Sequence, residues 1–152
     1  MPSTFIGNIE ARIDQKGRVF IPVAYRKLLP DGERERIVMR KDPDADCLVL
    51  YPESVWNAKV ETLRDNLDEW NPEDRLLLAQ FVADAEWLDI DSQGRILINR
   101  RYLQLIGIST DVLFVGMLDK IAVWSKTNYE AAKLAPNEFA KLLASKMMKH
   151  KE

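Results

Sequence analysis

The strongest constraint on the fold is a motif that occurs twice in the sequence, 77 residues apart. Residues 13–21 read IDQKGRVFI, and residues 90–98 read IDSQGRILI. Over 17 positions counted from residue 13, seven residues are identical in the two copies, whereas unrelated segments would share about one. A unit of about 50 residues rarely buries enough apolar surface to fold alone. We therefore predict two similar units that pack on each other.

The similarity continues beyond the motif and predicts how the chain is divided. Residues 48–51 (LVLY) match residues 121–124 (IAVW), and Trp56 matches Tyr129 at the same spacing. This pattern predicts an α+β chain with two repeats, a helical connector and a helical tail. The expected ranges are 5–52 for the first repeat, 53–83 for the connector, 84–127 for the second repeat and 128–152 for the tail.

Each motif opens with four residues that favour a tight turn, Asp14–Gly17 and Asp91–Gly94. Aspartate at the first position accepts backbone N–H bonds, and glycine at the fourth tolerates a positive φ. Such a turn is typical of a hairpin loop with a glycine bulge. The returning strands, 18–21 and 95–98, carry apolar residues on both faces. This pattern predicts strands that are buried on both sides, as they would be where two hairpins interlock.

The remaining elements follow from hydrophobic periodicity and from helix-start signals. Pro22 pre-sets φ for a helical turn, and Asn71 followed by Pro72 is typical of a helix N-terminus. We expect further strands at 6–13, 37–39, 47–51, 86–90, 112–116 and 121–124, and helices at 23–29, 100–106 and 128–134.

The connector and the tail carry apolar residues at helical spacing. In the connector, one helical stripe runs through Trp56, Val60, Leu63, Leu67 and Trp70, and a second helix contains Leu76, Leu77, Leu78, Phe81 and Val82. A last helix starts near Pro136, with Phe139, Leu142, Leu143 and Met147 on one side. We expect Trp56 and Trp70 to pack in the core or between subunits rather than to stack on bases.

Composition excludes several classes of protein. The apolar fraction of 47% and the charged fraction of 30% predict a folded core, and no apolar stretch is long enough to span a membrane. The N-terminus lacks the features of a signal peptide, so a cytosolic location is expected. The single cysteine, Cys47, is interpreted as a buried, inert thiol, and the single histidine, His150, speaks against a histidine zinc site or a catalytic triad.

The net charge of −2 hides an uneven distribution. Residues 61–91 hold ten acidic residues and two arginines, and the acidic run within them is interpreted as a solvated face. Residues 12–27 hold a single acid and five basic residues, namely Arg12, Lys16, Arg18, Arg26 and Lys27. The tail is basic as well, through Lys141, Lys146, Lys149 and Lys151, either as a solvated helix end or as an additional phosphate contact. A local basic patch can bind phosphates even when the whole chain is acidic.

Two interpretations of Arg18 and Arg95 remain open at this point. Each arginine follows its turn and could project toward a polyanion, or each could pair with the aspartate four residues earlier and hold the turn. The recurrence of nearby basic residues, Arg12, Lys16, Arg26, Arg100 and Arg101, favours binding. Asp14, Gly17, Asp91 and Gly94 are assigned to the structure of the turns. A hydrolase that uses Asp89 and Asp91 is a weak alternative, because neighbouring strand positions do not converge on one site.

The two Asp-x-x-Gly-Arg turns resemble the DNA-binding module of the SpoVT–AbrB class, and their tandem arrangement resembles the MraZ family of bacterial transcriptional regulators. The first copy matches the family pattern from Asp14 to Pro22 and continues with Tyr25 and Arg26. The segment Cys47–Pro52 and the following Trp56 are also similar to the family. Residues 5 to about 130 are covered by the resemblance.

The resemblance implies a double swapped-hairpin β-barrel built from two pseudo-symmetric repeats, with peripheral connector and C-terminal helices. It implies a closed ring of subunits that binds direct repeats of double-stranded DNA in the promoter of the division and cell wall gene cluster, which includes its own gene, and represses it. The DNA-contacting segments correspond to Asp14–Arg18 and Asp91–Arg95. Two departures in the second copy, Gln93 for lysine and Asn99 for proline, imply a weaker phosphate contact there.

The sequence, taken together with this resemblance, predicts a cytoplasmic, nucleoid-associated DNA-binding protein without enzymatic activity, cofactor, membrane contact or small-molecule substrate, and only the resemblance implies that it is a repressor. The expected DNA-binding residues are Arg18, Arg95, Lys16, Arg12, Arg26, Arg100 and Arg101. Its expected partners are DNA and further copies of itself. The competing hypothesis is a ring-forming scaffold whose basic face binds a protein.

Overall fold

The computed structural model describes residues 4–148, with the same order of elements in both halves of the chain. The strands are β1 (Asn8–Arg12), β2 (Arg18–Phe20), β3 (Arg36–Lys41), β4 (Leu48–Tyr51), β5 (Ala85–Asp89), β6 (Arg95–Leu97), β7 (Asp111–Gly116) and β8 (Ile121–Trp124). The helices are α1 (Val23–Arg26), α2 (Glu53–Asp65), α3 (Pro72–Ala83), α4 (Arg100–Leu105), α5 (Lys126–Ala132) and α6 (Pro136–Met148). Each half thus runs strand, strand, helix, strand, strand, helix, with α3 and α6 added after the halves.

Six strands form an antiparallel sheet in the order β1-β7-β8-β4-β3-β5, and β2 pairs with β6 in a separate two-stranded ribbon. The halves exchange strands throughout: β1 pairs with β7 of the second half, and β5 pairs with β3 of the first. Strands β4 and β8 join the halves at the centre of the sheet. Neither half could keep these pairings alone, which agrees with the expectation that the two halves pack on each other.

The turns are present, but the predicted hairpins are not. The Asp14 N–H donates to the Arg18 carbonyl at 2.9 Å across the first turn, yet β1 and β2 form no ladder with each other. Instead, β2 pairs with β6 in the register Arg18↔Leu97, Val19↔Ile96 and Phe20↔Arg95. Turn residues specify a local chain reversal, whereas the partner of a strand is set by the other half of the molecule, which local sequence does not report.

The prediction that the returning strands are buried on both faces is wrong. Val19 and Ile96 are about 1% exposed, but Phe20 and Leu97 are 52% and 56% exposed. The inward face covers the core, and the outward face of the β2–β6 ribbon faces solvent. The apolar character of Phe20 and Leu97 favours burial, but the side-chain period of two places both residues on the outer face.

The main core lies between the sheet, the ribbon and the short helices α1 and α4. It contains Ile21, Tyr25, Ile98 and Tyr102 together with apolar residues of both halves. A smaller cluster lies on the other side of the sheet, where the Trp56 ring stacks on Phe81 with centroids 5.2 Å apart and so joins α2 to α3. Cys47 is buried in this cluster, as predicted.

The connector differs from its prediction at one point. Helix α2 ends at Asp65, so Leu67 and Trp70 lie outside the helix, and Trp70 is 83% exposed. Trp70 therefore does not pack in the core of its own chain. Helix α3 begins at Pro72 as predicted, because the Asn71 side chain accepts hydrogen bonds from the N–H groups of Glu73 and Asp74.

Two helices leave large apolar side chains uncovered. Leu76, Leu77 and Val82 of α3 are between 45% and 66% exposed. Phe139, Leu142, Leu143 and Met147 share the apolar side of α6, and all of them are exposed. Lys149, His150 and Lys151 lie outside the described residues. Within residues 4–148, every helix is too short or too polar to cross a lipid bilayer.

Candidate nucleic-acid interface

The two turns have the same internal geometry. Asp14 Oδ1 accepts bonds from the N–H groups of Lys16 and Arg18, both at 2.9 Å, and its Oδ2 accepts from Arg18 Nε at 2.7 Å. In the second turn, Asp91 Oδ1 accepts from Gln93 and Arg95 at 2.9 Å, and Oδ2 accepts from Arg95 Nε at 2.8 Å. Each aspartate therefore holds both the turn and the guanidinium that follows it.

These bonds favour the ionised carboxylates. The pKa of Asp14 is lowered mainly by the hydrogen bond from the backbone N–H of Arg18, and the Arg18 side chain lowers it further. Arg95 lowers the pKa of Asp91 in the same way, first through its backbone N–H and then through its side chain. Each carboxylate is therefore bonded both to the backbone of its turn and to the arginine that follows it.

Glycine is required at the fourth position of each turn. Gly17 has φ +91° and Gly94 has φ +87°, a region that other residues adopt at a cost. A Cβ at Gly17 would meet the carbonyl oxygen of Ile98, and a Cβ at Gly94 would meet the guanidinium of Arg26. The turns are thus pressed against the opposite half of the chain.

The ribbon places Arg18 and Arg95 on one face. They occupy the same outward face as Phe20 and Leu97, because Val19 and Ile96 between them point into the core. In the antiparallel register the two arginines are diagonal neighbours, about 7–8 Å apart at their Cα atoms. Their side chains are 38% and 25% exposed. The two arginines therefore share the outward face of the ribbon, and each side chain is partly exposed to solvent.

The aspartates leave most of each guanidinium free. Both ion pairs use Nε, and among residues 4–148 the terminal nitrogens of Arg18 and Arg95 have no hydrogen-bond partner. The two alternatives drawn from the sequence are therefore compatible: each arginine pairs with its aspartate and still offers two N–H groups on its outer side. Those groups have the planar fork that suits phosphate oxygens or the O6 and N7 atoms of guanine.

Two other predicted binding residues contact the turns of the opposite half. Arg100 donates from a terminal nitrogen to the carbonyl of Gln15 in the first turn at 2.7 Å. Arg26 donates through Nε to Ile21 at 3.1 Å and reaches the carbonyl of Gln93 in the second turn at 3.4 Å. These arginines brace the turns crosswise, a contact between distant sequence positions that spacing could not reveal.

The remaining predicted residues are not all gathered on the ribbon. Lys16 lies exposed in the first turn, two residues before Arg18, and its backbone N–H donates to Asp14. Arg12 lies on β1, pairs with Asp111 at 3.5 Å and lines an open cleft of about 790 Å³ with Glu10 and Lys126. Arg101 pairs with Glu86 at 3.3 Å. Arg12 and Arg101 therefore have acidic partners outside the turns.

Two side chains of the outward face were not among the predicted site residues. Phe20 and Leu97 lie directly opposite Arg95 and Arg18 in the ribbon register. Their position two residues after each arginine was the available signal, because residues two apart share a face of a strand. The apolar character of both favours burial instead, which is why sequence reasoning missed them.

The structure bears on two further kinds of site, a metal site and a reactive cysteine. Residues 4–148 contain no group of three or more acidic, cysteine or histidine side chains arranged to hold a metal ion. Burial raises the pKa of the Cys47 thiol to about 12, so this thiol is not a nucleophile at neutral pH.

Comparison with known proteins identifies one family over both halves of the chain. The model of the family described as "MraZ protein, putative antitoxin-like" matches residues 4–79 and 81–145. A protein of Bacteroides thetaiotaomicron named "Transcriptional regulator MraZ" is 50% identical over 139 residues, which cover 91% of this chain and 89% of that protein. Proteins of the same name from Bacteroides fragilis and Lachnoclostridium phytofermentans are 48% and 39% identical, over 91% and 84% of this chain and 88% and 85% of theirs.

Proposed function

Because the chain belongs to the MraZ family, we propose that it is a transcriptional regulator that binds promoter DNA through the outward face of the β2–β6 ribbon. Its relatives carry the name of transcriptional regulators. The observation that carries the proposal for this chain is the pair Arg18 and Arg95, whose guanidinium groups lie on one exposed face with their terminal nitrogens free. The proposal includes no enzymatic activity and no cofactor.

The dimensions of the ribbon suit the major groove of B-DNA. This groove is about 12 Å wide and admits a two-stranded β-ribbon. An arginine whose Nε is held by a carboxylate keeps a fixed orientation, so less side-chain freedom is lost when it binds. We assign Arg18 and Arg95 to base edges or phosphates and Lys16 to a phosphate. Arg26 and Arg100 act mainly by holding the turns, and Arg12 and Arg101 remain peripheral candidates.

We also propose the double swapped-hairpin barrel as the architecture of the chain. Two observations support it: β1 and β5 each pair with a strand of the other half, and β2 and β6 pair across the halves. The burial patterns of corresponding strands agree as well, since β3 and β7 share one pattern and β4 and β8 share another. Two pseudo-symmetric repeats account for both facts.

A ring of several copies is part of the proposal. Helices α3 and α6 leave several large apolar side chains exposed, and clustered exposed apolar residues favour self-association. One ribbon has few basic groups, so a single contact with DNA is weak and salt-sensitive. When one particle carries several ribbons, binding of the first ribbon to a direct repeat raises the effective concentration of the others at the neighbouring repeats. The particle as a whole would then bind more tightly than one ribbon. The regulator would act in the cytoplasm on the nucleoid, as a repressor of the division and cell wall cluster that includes its own gene.

The test compares two double variants with the same change in net charge. Arg18→Ala with Arg95→Ala removes both ribbon guanidiniums, whereas Arg64→Ala with Arg75→Ala removes two exposed arginines of the connector. Binding to a promoter fragment with direct repeats is measured by fluorescence anisotropy at several salt concentrations. We expect the ribbon variant to lose affinity at about 150 mM salt and the connector variant to bind like the parent.

Circular dichroism and particle mass establish that both variants fold and assemble. If the folded ribbon variant binds as tightly as the parent, the ribbon is not the DNA-binding face. If the parent forms rings but binds no repeat-bearing fragment, the competing scaffold hypothesis is favoured, since the apolar faces of α3 and α6 would then serve assembly alone.

A further inference from the structure

Two of the four outward side chains of the ribbon are apolar, and both occupy the same position of the repeated motif. Phe20 and Leu97 are 77 residues apart, more than half exposed, and each lies opposite an arginine in the register. Single exposed apolar residues are ordinary on protein surfaces. Here, however, two exposed apolar residues occupy corresponding positions of a solvent-facing strand pair, where threonine or lysine would be better solvated. Their presence indicates a surface that loses water when a partner binds.

The pattern of charge favours DNA over a protein as that partner. The four side chains alternate, with Arg18 beside Leu97 and Phe20 beside Arg95, and the Arg95 guanidinium lies 5.8 Å from the Phe20 ring centroid. A protein that covered Phe20 and Leu97 would need an acceptor opposite each guanidinium, whereas the major groove of DNA offers guanine acceptors and phosphate oxygens beside apolar thymine methyl groups. Helix α6 carries Phe139, Leu142, Leu143 and Met147 exposed on one side, which is the apolar surface that a second copy requires, whereas the ribbon alternates apolar and charged side chains.

The spacing of the side chains matches that of base pairs in the major groove. Along a strand, residues two apart are separated by about 6.6 Å, close to two base-pair steps of about 3.4 Å. Across the ribbon, the strands are about 4.8 Å apart. An arginine and an apolar side chain can therefore reach neighbouring base pairs at the same time. In the major groove the apolar group that a base pair offers is the C5-methyl group of thymine.

We propose that Phe20 and Leu97 are specificity-determining residues that contact thymine methyl groups. This inference rests on the proposed DNA-binding function. These thymines flank the base pairs that Arg18 and Arg95 reach. The arginines attract and orient the DNA, and the two apolar side chains distinguish sequences that present methyl groups beside those base pairs.

The experiment removes the methyl groups from the DNA rather than from the protein alone. A repeat-bearing promoter fragment is prepared once with thymine and once with deoxyuridine in every thymine position of the repeats, which leaves base pairing and phosphate charge unchanged. We expect the parent to bind the deoxyuridine fragment more weakly, by about fourfold for each methyl group that the protein touches. Phe20→Ala with Leu97→Ala should bind both fragments equally, with an unchanged salt dependence.

Two further variants isolate the effect. Leu105→Ala removes a leucine that is 59% exposed on α4, close to the 56% of Leu97, and should preserve the preference for thymine. Phe20→Leu keeps an apolar side chain and should preserve most of it. A change of DNA shape caused by deoxyuridine would persist in the Phe20→Ala, Leu97→Ala variant, so its disappearance there identifies a direct contact.

The outcomes separate this inference from the function on which it rests. If the parent binds the thymine and deoxyuridine fragments equally tightly, the methyl contact is refuted and DNA binding stands. If the parent binds neither fragment, the proposed function itself fails. If the double alanine variant changes the particle mass and keeps the thymine preference, Phe20 and Leu97 belong to a contact between copies and the inference is overturned.

Discussion

The two turns of this protein share a backbone design and differ in what surrounds it. Each is closed by an aspartate that accepts two backbone N–H bonds and one guanidinium bond. The first turn carries Lys16, where the second has Gln93, and its arginine is 38% exposed instead of 25%. The duplicated motif thus keeps the aspartate, the glycine and the arginine that shape each turn, while an exposed position within the turn differs between the copies.

The bracing of the turns differs as well. The first turn receives a 2.7 Å bond from Arg100, which begins α4, whereas the second receives a 3.4 Å bond from Arg26 at the end of α1. The helix starts also diverge, because Asn99 caps α4 through its side chain and Pro22 cannot cap α1 in this way. The first turn is therefore held more firmly and carries more positive charge. If the proposed function is correct, the first turn contributes more to DNA binding.

The largest expected effect is that of single arginine substitutions. Arg18→Ala should weaken binding to the repeat-bearing fragment by about tenfold to a hundredfold, the range for removal of a bidentate bond to a base. Arg95→Ala should cost less, because Arg95 is less exposed and has no lysine in its turn. Fluorescence anisotropy on both variants, with Arg75→Ala as a control, measures the difference. An equal or larger loss for Arg95→Ala would contradict the ranking of the two turns.

Substitution of the turn glycines should lower the free energy of unfolding by different amounts in the two turns. Gly17→Ala and Gly94→Ala each force alanine into a positive φ, which costs about 1–3 kcal/mol of unfolding free energy. Gly17→Ala should be the more damaging, since its Cβ meets the backbone of Ile98, whereas that of Gly94 meets the movable end of Arg26. Urea unfolding of both variants tests this order, and a larger loss for Gly94→Ala would show that Arg26 is as rigid as the backbone.

A smaller effect is expected when the charge difference between the turns is reversed. The slope of log affinity against log salt is negative; Lys16→Gln should reduce its magnitude by about 0.9, the value for one phosphate neutralised by one lysine, and Gln93→Lys should increase the magnitude by a similar amount. The combined variant, with both changes, should bind with the slope of the parent. Slopes that do not move would place position 16 away from the phosphates.

The smallest expected effect concerns pH, and here the two turns should behave alike. The pKa of Asp14 and that of Asp91 are both lowered from 3.8, first by backbone N–H bonds from Arg18 and Arg95. Since these pKa values are lower in the folded than in the unfolded chain, the stability they contribute is present above pH 3.8. It is lost as the pH falls through the lowered values. NMR titration of the carboxyl carbons measures both, and Arg18→Ala should raise the pKa of Asp14 alone.

Much of the local structure was predictable from the sequence. The turns at Asp14–Gly17 and Asp91–Gly94 and the start of α3 at Pro72 are confirmed, because short-range hydrogen bonds and allowed φ values determine them. The similarity to the MraZ family, recognised on the same residues, is also confirmed by the family match. Helix and strand bounds differ by a few residues from those expected, because the ends of elements depend on packing.

The errors at the two turns share a cause, which is that the sequence does not say which strand is the neighbour of which. The expected hairpins are replaced by pairing between halves, and Phe20 and Leu97, expected in the core, face solvent. Trp70, expected in a helical stripe, lies beyond the end of α2. The hydrophobic periodicity of a sequence shows which residues are apolar and at what spacing they recur. The direction in which the residue points depends on the position of the opposite half.

What the sequence by itself determined is the duplicated motif, the two turns and the aspartate that precedes each arginine by four residues, because these rest on chain-local geometry. Only the tertiary structure decided that β2 and β6 lie side by side, that Arg18 and Arg95 share an outward face with Phe20 and Leu97, and that Arg26 and Arg100 brace the opposite turns. Those contacts join residues up to 85 positions apart. Their partners are selected by burial of a common core, a property of both halves together.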